Sequence, residues 1–105
     1  MKKYLISFSQ MEWQEPAPGI RFKAYIDGER KVRLLEFSEQ LVAEEWCRIE
    51  HVGYVLEGHL SINFNGNIVS FRAGDGLFIP EGEEHKHKPF VAKGEKALLI
   101  MFEKA

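Results

Sequence analysis

Apolar and polar residues alternate from Ile20 to Ile26: Ile20, Phe22, Ala24 and Ile26 share one side, Arg21, Lys23 and Tyr25 the other. A period of two is that of a half-buried strand, and Asp27-Gly28 supplies the turn that ends it. Val32 to Phe37 and Leu41 to Cys47 continue as strands. In the second of these the alternation is imperfect and Glu44 and Glu45 favour helix, so a helical turn competes with the strand reading. His51 to Leu56 is a further strand, closed by a turn at Glu57-Gly58. Leu60, Ile62 and Phe64 then alternate with Ser61, Asn63 and Asn65. Asn65-Gly66 can supply the positive φ angles of a tight hairpin, with Ile68 to Phe71 as the returning strand.

Ala73 to Gly76 is a turn cluster and Leu77 to Ile79 a short buried strand. Pro80 to Glu84 turns the chain and delivers His85. The unbroken apolar run Ala97 to Phe102 predicts a strand covered on both faces. At the other end, Lys3 to Phe8 can open as a strand, and Glu15 to Gly19, with two prolines and a glycine, reads as a linker that sets residues 1–19 apart as an arm. Short strands punctuated by glycine and proline, with no helix of useful length, predict an all-β antiparallel sandwich or barrel. At a mean strand length of about five or six residues this gives roughly eight to ten strands, the size of a small jelly roll.

Composition narrows the class. The 105 residues, 45% hydrophobic and 12% aromatic, suit one soluble globular domain spanning 1–105 and exclude disorder for its body. A net charge of −2, with basic and acidic residues interleaved, argues against nucleic acid as a direct partner. The apolar run after Met1 is too short for a signal peptide or a membrane span, so a cytoplasmic protein without membrane contact is expected. The single cysteine cannot form an internal disulfide, in keeping with a reducing compartment.

That cysteine, Cys47, lies four residues before His51, within the stretch Glu45 to Gly58. On a strand Glu45 and Cys47 leave the same face, and His51 can rejoin it after a bend. All three residue types coordinate transition metals. The ordinary alternatives are that Cys47 packs in the core, Glu45 is surface charge and the histidines are merely hydrogen-bonded. His87, between Lys86 and Lys88, reads as part of a solvated loop. Gly53 either leaves room for a ligand beside His51 or marks a bulge.

Residues 41–90 resemble the two-motif signature of the cupin superfamily, whose fold is a small jelly-roll barrel with an internal metal site. The second motif is carried by Gly74, Pro80, Gly82 and His85, the last at the metal-binding histidine of the pattern; Pro89 stands where an asparagine is common. The first is carried by Tyr54-Val-Leu-Glu-Gly58, with His51 at the usual glutamate position and Glu45 and Cys47 where two histidines usually stand. The resemblance thus implies Glu45, Cys47, His51 and His85 as metal ligands.

Two sets remain open within these four. Cys47, His51 and His85 would give a thiolate and two imidazoles with an open position, as in catalytic zinc sites. Glu45, His51 and His85 would give the two-histidine, one-carboxylate set of non-haem iron enzymes. Copper would need an axial methionine, for which Met101 is a guess. The expected cofactor is a divalent transition metal, zinc, iron, nickel or manganese. The expected partner is a small polar molecule, bound or acted upon with Glu45 as candidate base, and the alternative is a metal-free sensing or structural module. A homodimer is expected too, with the N-terminal arm adding a strand to a neighbouring sheet edge.

Overall fold

The computed structural model describes residues 4–105. Among them are eight strands: β1 (Gln14–Ala17), β2 (Ile20–Asp27), β3 (Arg30–Ser38), β4 (His51–Phe64), β5 (Asn67–Arg72), β6 (Gly76–Ile79), β7 (Lys88–Phe90) and β8 (Lys96–Lys104). Every pairing is antiparallel. The larger sheet runs β1-β2-β3-β8-β4-β6 and the smaller β5-β4-β7, so the two share one strand. Together they curl into an all-β half-barrel of jelly-roll type. No helix of the described residues is long and apolar enough to cross a membrane.

The alternation that predicted β2 and β3 sets their register without a break, from Ile20 opposite Phe37 to Asp27 opposite Arg30. Inward residues of β3, β4, β6 and β8, including Leu35, Val55, Leu77 and Leu99, form the buried cluster with Leu60 and Ile62 of the smaller sheet. Burying each such side chain contributes about 1.5–3 kcal/mol. At the β4–β5 hairpin, Asn65 and Gly66 have φ of 55° and 103°, as a two-residue turn with right-handed strand twist requires. The Gly66 amide donates to Asn63 Oδ1.

The structure corrects several expectations. Glu57-Gly58 is no turn: β4 continues through it, absorbing a bulge between Val55 and Glu57. The glycine is needed because φ there is +81° and a Cβ would overlap the Lys96 carbonyl oxygen. Leu41 to Cys47 is no strand, since this segment crosses between the sheets and its backbone meets a neighbour in a single bridge, Cys47 to His87. The supposed linker Glu15 to Gly19 overlaps a strand, Gln14–Ala17, which pairs with β2; Pro16 is tolerated because β1 is an edge strand. Lys88–Phe90 is a strand despite Pro89, paired to β4 on one side only. The proposed strand from Lys3 begins outside the described residues, and its end, Phe8, opens a 3-10 turn, Phe8–Gln10.

Candidate metal centre

The curl encloses a cavity of about 460 Å3 between the two sheets. Its third wall is the segment 39–50, here called the strap, whose odd-numbered residues Leu41, Ala43, Glu45, Cys47 and Ile49 all line it. The alternation that suggested a strand is therefore real as a facing pattern, although no ladder accompanies it.

At one end of the cavity the first residue of β4, His51, meets the strap and the segment before β7. The backbone bridge joins Cys47 and His87 through two hydrogen bonds, 2.9 and 3.0 Å, and so sets their side chains beside His51. Cys47 Sγ lies 3.4 Å from His51 Nε2. The His87 ring stands edge-on to His51, 5.1 Å between centroids, and its side chain is among the most buried in the protein at 3% exposure. Phe64 closes its other side. One thiol sulfur and two imidazole nitrogens thus converge, all within 4.8 Å of one another.

Each imidazole is fixed from behind. His87 Nδ1 lies 3.0 Å from the His85 carbonyl oxygen, which can only accept, so Nδ1 carries a proton and Nε2 is the nitrogen left to the cluster. His51 Nδ1 donates to Glu103 Oε2 at 3.0 Å. Glu103, on β8, is held in turn by a two-pronged contact from Arg33 Nε and Nη2, both at 2.8 Å. A backbone carbonyl and a carboxylate are the partners that orient metal-ligating histidines elsewhere.

Electrostatics follow from these contacts. Hydrogen bonds from His51 and then His87 pull the Cys47 thiol down to about 5, against the opposing effect of burial. Burial alone would lower His51, but its bonds to Cys47 and Glu103 outweigh burial and raise it to about 9. Glu103 would likewise be raised by burial, yet His51 and Arg33 hold it down to about 2. Without metal, the end of the cavity is a thiolate–imidazolium pair backed by a carboxylate.

Of the residues singled out from sequence, Cys47 and His51 come together. Glu45 lines the cavity from the strap but lies outside the converging trio of described residues. The His85 side chain sits in the turn Glu83–His85, 39% exposed and 3.6 Å from a Glu84 oxygen; only its carbonyl serves the cluster. His87, read as solvated because of its lysine neighbours, is instead buried, while Lys86 and Lys88 lie over the Trp46 ring outside. The available signal was parity, since His87 is two residues beyond His85 on a chain that alternates. Gly53 leaves no room for a ligand: a Cβ there would overlap Met101 Sδ and the Ile100 carbonyl, so Met101 fills that space.

The sequence profile of a family described as Cupin domain matches residues 48–102, more than half of the chain. No curated protein matches. Among solved structures, the polyketide cyclase RemF from Streptomyces resistomycificus is similar at TM-score 0.79 and 19% identity, over 95% of this chain and 78% of that one. KdgF from Halomonas sp. gives 0.73 and 19%, over 96% of each chain. An RmlC-like cupin from Shewanella frigidimarina gives 0.69 and 21%, over 97% and 90%. At such identities the likeness establishes the fold alone.

Proposed function

Because the chain belongs to the cupin domain family, we propose that it is a single metal-binding cupin domain in which Cys47, His51 and His87 hold a divalent transition metal, and that the adjoining cavity takes a small molecule. The observation that carries this reading is the pair of orienting contacts, His85 carbonyl to His87 and Glu103 to His51. They fix both rings by Nδ1, leaving His51 Nε2 3.4 Å from Cys47 Sγ and the three ligand atoms within 4.8 Å of one another. A buried cluster built only for packing needs no such second layer.

The donor set suits the group. A depressed thiol is ready to ligate, and a thiolate with two imidazoles favours zinc over the harder manganese. Bound there, the metal would supply Lewis acidity to a ligand oxygen or to water. Around it, Glu103 and Arg33 keep His51 in place, the His85 carbonyl keeps His87 in place, and Glu45, which has no hydrogen bond or ion pair with a described residue, is the group on the cavity wall available to move a proton.

The test is metal content by mass spectrometry on untagged protein after reconstitution. About one equivalent per chain is expected. Cys47→Ser, His51→Ala and His87→Ala should lose it, and Glu45→Gln and His85→Ala should keep it. Sub-stoichiometric metal in the unaltered protein would sink the reading. Loss in His85→Ala with retention in His87→Ala would reinstate the set implied by motif spacing.

A further inference from the structure

The polar groups of the cavity are gathered at one end. Along β3 the inward residues run Lys31, Arg33, Leu35, Phe37, and along β8 they run Glu103, Met101, Leu99, Ala97 in the opposing direction, so charge occupies the first rows and hydrocarbon the rest. Leu60 and Ile62 face them from the smaller sheet and Leu77 from β6. The side chains lining that part are hydrocarbon, so it offers a ligand no side-chain hydrogen bond. A polyhydroxylated ligand placed there would leave hydroxyls unsatisfied, at about 1–3 kcal/mol each.

The charged end is not neutral. Lys31, Arg33 and Lys104 line it against Glu45 and Glu103. Arg33 is spent on Glu103, and Lys104 lies 3.9 Å from Glu81. The Lys31 side chain makes no hydrogen bond or ion pair with any described residue. It stands directly across from Glu103, the residue that holds His51. A half-buried lysine on a cavity wall, its side chain unpaired and next to a fully paired carboxylate, is a place for an anion to be supplied from outside.

We propose that the ligand of this cavity is a small apolar carboxylate, a ring-sized or branched hydrocarbon bearing one anionic group, seated with its hydrocarbon against Leu35, Leu60 and Leu99 and its carboxylate toward Lys31. At about 460 Å3 the space is within the range of ligand sites and holds one such molecule. This replaces the polar molecule expected from sequence. It rests on the reading of the cavity as a ligand site, but not on the metal, because Lys31 supplies the anion contact in either state.

The experiment is calorimetric titration of chelator-treated protein with phenylacetate, benzyl alcohol and gluconate, repeated with Lys31→Ala and Lys31→Arg. Phenylacetate should bind about tenfold more tightly than benzyl alcohol, the worth of one charge-assisted contact, and more tightly than gluconate by at least as much. Lys31→Ala should erase the advantage over benzyl alcohol while leaving benzyl alcohol unchanged, and Lys31→Arg should retain it. Gluconate matching phenylacetate, phenylacetate unaffected by Lys31→Ala, or no binding of any probe would each overturn the inference. A protein that holds metal but binds no probe refutes this inference alone; one that binds phenylacetate but no metal refutes only the metal centre.

Discussion

Cys47 and His51 exchange a proton on folding, and the pH dependence of stability should reveal it. Taken singly, the depressed Cys47 contributes stability that is complete above its ordinary 9.0 and is lost as pH falls through about 5. The raised His51 contributes stability that is complete below its ordinary 6.5 and is lost as pH rises through about 9. Between 6.5 and 9 the folded and unfolded pair each hold one proton, so in metal-free protein the two effects cancel. Stability should therefore be level across that window and fall as pH drops from 6.5 toward 5. Thermal melts of Cys47→Ala should lose this shape, because the substitution removes both the Cys47 titration and its share in raising His51; an unchanged profile would show that no such pair forms. This pair was readable as a Cys-x-x-x-His spacing, but the partner that completes it was not. Motif counting stops at His85, whereas the bridge to Cys47 selects the residue two further on.

At the level of elements, the sequence encodes which way a side chain faces more firmly than which backbone it pairs with. The strap and β2 carry the same alternation, yet only β2 has a neighbour along its length. β4 shows the opposite error, two predicted strands that are one, because Glu57-Gly58 reads as a turn unless Lys96 is known to press on it. Gly58→Ala should cost at least about 2 kcal/mol, combining an unfavourable φ with a backbone overlap. Gly28 at φ +60° has open space around it, so Gly28→Ala should cost only about 1 kcal/mol. Urea midpoints of the two variants compare them, and equal losses would show that β4 does not depend on the close approach at its crossing.

For the molecule as a whole, the fold class was legible because short strands and turn residues agree with one another. The expectation for β8 was only half met: Leu99 and Met101 are buried, but Phe102 is 52% exposed on the other face. Register places it in one row with Tyr25, Val32, Val52 and Phe78, an outward apolar band across the larger sheet. The N-terminal arm, meanwhile, pairs β1 within its own chain. Self-association is therefore expected through this band, which a second copy matches by symmetry. Light scattering should give a dimer mass at micromolar concentration and a monomer for Phe102→Lys; a monomer in the unaltered protein would refute it. The strand common to both sheets has a mechanical meaning as well. Like the spine of a book, β4 binds both covers, so the two sheets cannot part without bending it. Traffic into and out of the interior is left to the strap, the wall that no ladder secures: its backbone is fastened to the far segment only near its end, by the Cys47 bridge and by the Arg48 carbonyl, which accepts from the Gly82 amide.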